Sequence, residues 1–471
     1  MKTNNNNIFI KLSTFFESKY FLILISILTI FNYMFKFGMW TYIEVGVMLI
    51  IMMITNSKYV YMPSIVIFIL GGGLSKTPNF KSFSFIFACI IGGLLIITLI
   101  YKAVINCKKI FSIKRSNSFV ISTIILLFAM ILSLITSINK TTTLAAIGGF
   151  SVNLVVMYFV LSSVKVSNDT KYKLADSFVA IFYVIFSMVL MRFFKLLSEY
   201  SLKTFIFDKS YFHLGWDYSN HYCSMMILSF IFSVYILITK WHDLSWYQKI
   251  LHIFPIPSIV LTCIIVSARG PLYGLFGSIV CGFILFVIRY RKNKKILISS
   301  CACVIVASII SVLVYIFVLK DLFGNKGLNG RPELWNLAIK HFKENMFLGT
   351  GYGTQTIFIR NETLQGVYNY HNYYLQITTC GIVGIIAFTI YLLNIGWHCI
   401  NKLDWFNIAF ISIFVLFLVN GFVDTLFFSN KIMPLFSICL CYVDLKPKEL
   451  SLQSKWQKTL NMSMTFEKFL K

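Results

Sequence analysis

An all-α, polytopic transmembrane helical bundle is the fold class this sequence predicts, on three observations. The 471-residue chain is 58% hydrophobic and only 13% charged, with a mean hydropathy of +0.78, more apolar surface than one soluble core can hide. Its aliphatic and aromatic residues fall in blocks of roughly 16 to 24, long enough to cross a hydrocarbon layer about 30 Å thick as helices. Strand-like alternation is missing from these blocks, so helices rather than a closed barrel satisfy the backbone in lipid.

In chain order the predicted segments are 20–35, 40–55, 59–74, 83–101, 118–138, 144–164, 174–194, 221–239, 250–267, 271–288, 295–319, 373–396, 404–420 and 427–443, giving about 12–14 spans. The first follows a basic, Asn-rich start, and Met34-Phe35-Lys36-Phe37 comes after it instead of a small-residue cleavage site, so it reads as an uncleaved span. The segment 59–74 carries Pro63 and ends in Gly71-Gly72-Gly73, which leaves a re-entrant alternative, and 250–267 carries Pro255 and Pro257.

Charge orients the bundle. The formal net charge of +25 would suggest nucleic acid in a soluble protein, but most Lys and Arg flank apolar segments, where they set topology and touch anionic lipid. With the N-terminus inside, the short inner connections and the C-terminal tail hold most of the 42 basic residues. The organisation expected is a first bundle part over 1–319, an extracytoplasmic loop over 320–372, a second bundle part over 373–445 and a cytoplasmic basic tail over 446–471. The eleven cysteines lie mainly in apolar segments and show neither a disulfide framework nor zinc spacing.

The stretch from Leu319 to Ile377 is the one long polar break, and candidate chemistry gathers around it. Arg269 stands in Ser267-Ala268-Arg269-Gly270-Pro271 at the outer end of a span, where a guanidinium is costly unless an anion or carbonyls satisfy it; snorkelling to headgroups is the alternative. Arg331 precedes Pro332, and Leu334, Trp335, Ala338, Ile339 and Phe342 make one apolar face, so 332–344 reads as a short amphipathic helix. Its N-terminal N–H groups and the Arg331 fork suit a phosphate. Gly349-x-Gly351-x-Gly353 lacks the preceding strand of a nucleotide fold, and a tight turn explains it.

His371 and Asn372 run directly into the next span, which puts an imidazole at the outer mouth of the bundle, able to take a proton or donate to an oxyanion. Tyr352, Trp335 and other outer aromatics suit sugar faces, although the membrane interface explains most of them. The connection 195–220, ending at Asn220 and His221, is a natural neighbour for the large loop. Glu44 is the clearest carboxylate within a span, and ion-coupled transporters usually carry several intramembrane charges.

At these residues the chain resembles the O-antigen ligase and Wzy-type polysaccharide polymerase superfamily of bacterial membrane glycosyltransferases. The resemblance is carried by Arg269-Gly270, by Arg331 and Trp335 opening the large loop, by Gly349-x-Gly351, and by His371-Asn372-x-x-Leu375-Gln376 running into Gly381-x-x-Gly384. It covers roughly 265–390 in detail. The resemblance implies a substrate on undecaprenyl diphosphate, transfer on the outer face of the cytoplasmic membrane, and no cofactor, metal or nucleotide sugar. It also implies roles for Arg269, Arg331 and His371.

The expectation is therefore a polymerase joining lipid-linked oligosaccharide repeat units into a capsule, exopolysaccharide or O-antigen. Arg269, Arg331 and His371 are the catalytic candidates, and Arg269, Arg331, Trp335, Tyr352, Asn372 and Asn220 the substrate-binding ones. Glu362 and Asp217 are weaker candidates for a base. Expected partners are the undecaprenyl-diphosphate-linked donor and acceptor, membrane lipids, and a flippase and chain-length regulator of the same pathway, with no nucleic acid. Heavy use of Ile, Asn, Lys and Phe points to an AT-rich genome and mildly favours a polymerase over a ligase. A ligase acting on another acceptor is the nearest rival, and a transporter or flippase the rival of another class.

Overall fold

Apolar blocks become helices throughout the described residues, with no strand among them. The computed structural model describes residues 2–38, 40–71, 93, 97, 117–206, 208–215, 218–290, 292, 330–363, 369–400 and 403–443. The expected spans 83–101 (Gly93 and Ile97 aside) and 295–319, loop residues 320–329, the basic tail and Asp217 lie outside them.

The helices are α1 (Lys2–Phe16), α2 (Lys19–Phe35), α3 (Trp40–Ile54), α4 (Met62–Gly71), α5 (Asn117–Leu132), α6 (Lys140–Ser163), α7 (Asn168–Glu199), α8 (Ser219–Lys240), α9 (Trp246–Ile253), α10 (Pro255–Ile265), α11 (Arg269–Tyr290), α12 (Arg331–Glu344), α13 (Gln355–Glu362), α14 (Tyr373–Ile377), α15 (Gly381–Ile400), α16 (Trp405–Gly421) and α17 (Met433–Cys441). Several start where the sequence offers an oxygen to free N–H groups. Asn139, Ser167 and Asp404 accept from Thr142, Thr170 and Asn407, and Ser167 completes a capping box.

Six of these helical stretches are long and apolar enough to cross a membrane, α9 with α10 counting as one, or seven if α1 and α2, bent by 65°, form a single span. The other expected spans on described residues are shorter helices. The segment 59–74 contains only the ten-residue α4, and 427–443 only the nine-residue α17 behind a 3-10 turn at Leu426–Phe428. At 1.5 Å per residue each reaches about half the hydrocarbon thickness. Both are almost wholly buried and pack on each other, so they plug the bundle, which explains why their sequences are apolar all round.

The most extensive helix pair is α11 with α16, built on small residues. A Cβ at Gly270 would meet Asn420 Oδ1 at 2.6 Å, one at Gly277 would meet Val419 at 3.0 Å, and Gly274 faces Leu416. Ser278 donates to the Ser412 carbonyl at 2.8 Å. Glycines four apart let two backbones approach closely in lipid, and here they bring the start of α11 to the end of α16. The intramembrane Glu44 is satisfied within the bundle, accepting from the Asn32 amide at 2.7 Å.

Candidate functional site

Arg269 opens α11 behind a sharp reversal of the chain. Ser267 adopts a left-handed backbone (φ 53°) and the Ala268 N–H returns to the Cys263 carbonyl at 2.9 Å, closing α10 before α11 begins. Arg269 is half-buried, and Gly270 beside it admits Asn420, whose amide donates to Ser224 of α8 at 2.9 Å.

Arg331 opens α12 behind Gly330, at φ 74°. The buried stripe of α12 is Leu334, Leu337, Ala338 and His341, a period-3.6 face. Ile339, expected inward, is exposed. The stripe packs with Ile359 and Tyr370 into a small core of the loop's own. His341 stacks on Phe358, with Nδ1 2.7 Å from Glu344 and Nε2 2.6 Å from Glu362. Glu362 also takes the Lys340 ammonium at 2.7 Å. Both its oxygens are thus committed to bracing α12 on α13, so this expected candidate for a base serves architecture.

The glycine run fixes the loop to the bundle. Gly349, Gly351 and Gly353 have φ of 75°, 104° and 90°, a region side chains avoid. Thr136 Oγ1 donates to the Gly349 carbonyl at 2.7 Å, Ile138 N–H to the Thr350 carbonyl at 3.0 Å, and Gly351 N–H to the Thr379 carbonyl at 2.9 Å. The run is therefore a docking turn between the end of α5 and the start of α15.

His371 follows Tyr370 with a left-handed backbone (φ 51°), held by its N–H donating to Asn369 at 2.9 Å. Such a conformation is uncommon outside glycine and is retained where surroundings over-determine it. Asn372 accepts from the Leu375 N–H at 3.1 Å and donates to the Phe422 carbonyl at 3.3 Å. Its amide therefore ties α14 to the end of α16.

The focus of these elements is a residue that sequence reasoning passed over. Asp424, buried between α16 and the Leu426–Phe428 turn, lies 3.7 Å from His371 Nδ1 and 3.8 Å from His221 Nε2, both measured to Oδ1. Its Oδ2 accepts from Asn220 at 3.2 Å and its Oδ1 from the Thr425 N–H at 2.8 Å. Burial alone would raise this carboxyl, but the contacts and charges of His221 and His371 outweigh it and hold Asp424 well below the usual carboxylate range. Burial lowers the Arg331 guanidinium, the Asp424 charge opposes that, and the Arg269 charge adds to it. The two arginines and the aspartate therefore share one electrostatic environment. Arg331 Nε is buried with no hydrogen-bond partner among the described residues, a donor available to a ligand.

Of the expected site residues, His371 and Asn220 thus meet at Asp424, while Arg331 feels the charges of both Asp424 and Arg269. Trp335 stands nearby as a brace, its indole N–H donating to the Tyr370 carbonyl at 3.1 Å. Tyr352 corrects the expectation of a sugar-facing ring. It is buried in the bundle core against Phe150 and Phe428, because the docking turn points it inward. One signal for Asp424 was available: a chain with only 17 acidic residues places one between two apolar segments, the same setting that singled out Arg269.

Two cationic forks, an imidazole and a fixed carboxylate can bind a diphosphate and move one proton. Residues 257–392 match a family model described as O-antigen ligase. The matched stretch contains Arg269, Arg331 and His371, while Asn220, His221 and Asp424 lie outside it. No curated protein matches the chain.

Proposed function

We propose, from the premise that residues 257–392 form a domain of the O-antigen ligase family, that this chain is a polymerase joining undecaprenyl-diphosphate-linked oligosaccharide repeat units on the outer face of the cytoplasmic membrane. The product is a capsule, exopolysaccharide or O-antigen chain, and a flippase and chain-length regulator of the same pathway are its partners. The observation that carries the reading is the meeting of His371 and Asn220 on one buried carboxylate, Asp424, with Arg331 within reach of the charges of Asp424 and Arg269.

The chemistry follows from the charges. In transfer, the bond from the sugar's anomeric carbon to the phosphate oxygen breaks and its electron pair stays on the diphosphate. Arg269 and Arg331 stabilise that growing charge, the kind of contribution that is usually the largest single one in catalysis. His371 takes the proton of the acceptor hydroxyl as the new bond forms, and Asp424 orients the imidazole and stabilises it once charged. Direct attack inverts the anomeric centre, and a retained configuration in the product linkage would exclude this step.

Purified protein supplied with a synthetic undecaprenyl-diphosphate oligosaccharide tests the reading. A ladder of longer products is expected. One transfer to a different acceptor means a ligase, and no transfer in any condition returns the chain to the transport reading. Arg269→Ala, Arg331→Ala and His371→Ala are each expected to lower transfer by about 10²-fold or more with protein level unchanged, and full activity in all three would overturn the site.

A further inference from the structure

We propose that His221 is a second working imidazole of this site, one that contacts the donor's diphosphate while His371 serves the acceptor hydroxyl. The inference rests on the transferase reading above and goes beyond it by dividing the site into a donor half and an acceptor half.

Geometry is the first support. The two rings approach the same Asp424 oxygen at nearly equal distances, 3.8 Å from His221 and 3.7 Å from His371. Asp424 is itself fixed by Asn220 and the Thr425 N–H, so it flanks both rings without following either. Asp424 lies beside His221 and, across it, His371.

Origin is the second. His221 lies in the first turn of α8, which packs on α11 and α16, the helices that carry Arg269 and lead to Asp424. His371 comes instead from the loop, which also carries Arg331 across to the diphosphate. His221 therefore stands on the bundle side of Asp424 with Arg269, one of the two groups assigned to the donor's diphosphate, while the loop brings His371 to the other side.

The test separates donor binding from turnover. His221→Gln keeps a donor N–H but not the imidazole. It is expected to raise KM for the undecaprenyl-diphosphate donor about tenfold with kcat changed less than threefold, whereas His371→Gln lowers kcat at least 10²-fold with donor KM within threefold. Affinity for undecaprenyl diphosphate itself, measured in a His371→Ala background with and without His221→Gln, is expected to weaken by the same tenfold. Affinity unchanged within threefold overturns the proposal, and so does an equal fall of kcat and affinity, the pattern of a residue that merely supports Asp424. His221→Asn gives the same readings if the Gln variant does not accumulate. Failure of the unsubstituted chain to bind undecaprenyl diphosphate would instead remove the transferase reading itself.

Discussion

Asp424 is a buried anion surrounded by groups that all prefer it charged, and its removal should be felt in chemistry more than in folding. Asp424→Asn keeps the shape and the Asn220 contact but loses the charge that orients and stabilises the His371 imidazolium. Transfer is expected to fall about 10²-fold or more, with the detergent-solubilised protein still monodisperse, as checked by product assay and size-exclusion chromatography. The pH dependence has a definite sign. The folded Asp424 binds its proton less readily than the unfolded carboxyl, so its stabilising contribution is present above the ordinary carboxylate pKa of about 3.9 and is lost as pH falls through the depressed folded value. The thermal stability gap between the parent and Asp424→Asn should therefore not shrink from neutral pH to about 5 and should close only in stronger acid. A gap that closes between pH 7 and 5 would show that Asp424 is not held low. Arg269, Arg331 and His371 were legible in the sequence because cations at the end of an apolar segment are conspicuous. Asp424 offered only its position between two apolar segments, and its partners were not legible, because they come from helices about 200 residues apart in sequence, as its Asn220 contact shows.

At the scale of elements, the large loop is placed by a turn and held by its own small core. Gly349 and Gly381 are pressed backbone to backbone: a Cβ on Gly349 would strike the Thr379 carbonyl, and one on Gly381 the Phe347 carbonyl. Gly349→Ala combines that clash with a left-handed φ of 75°, and is expected to cost at least about 3 kcal/mol. Gly215→Ala is the matched control, with φ 85° but open space around the new methyl, and should cost only about 1–2 kcal/mol. Thermal unfolding in micelles compares the two, and limited proteolysis should cut the 345–363 region faster in Gly349→Ala alone. Equal behaviour of the two variants would mean that the turn does not seat the loop. The amphipathic helix after Arg331 was legible from its period. Its inward stripe was misjudged at Ile339 because the helix buries His341 between two carboxylates, and nothing in hydrophobicity marks a polar residue for the inside.

On the scale of the molecule, the described helices sort their connections onto two ends. At one end Lys58 pairs with Glu17 at 2.8 Å, the Tyr59 N–H reaches Ser163, Lys171 approaches Asp404 at 3.8 Å, Lys240 lies over Tyr172, and Arg289 donates to the Leu403 carbonyl. At the other end the docking turn, the 208–220 connection, Arg269, His371 and Asp424 meet. Long apolar helices were legible because span length and hydropathy are local properties. The short, buried α17 was read as an ordinary span, and α4 as a span or a re-entrant segment, because burial in protein and burial in lipid select the same side chains. The proposed function requires the Lys58 and Lys240 end to face the cytoplasm and the site to face the opposite side, the orientation expected from the basic inner connections of the full sequence. A membrane-impermeant maleimide tests this directly, read against the unsubstituted chain. Glu333 and Asp243 are both exposed and lie toward opposite ends. Glu333→Cys should be labelled on intact cells and Asp243→Cys only after permeabilisation. The reverse pattern would place the site in the cytoplasm, where polymerisation of externally displayed repeat units could not occur.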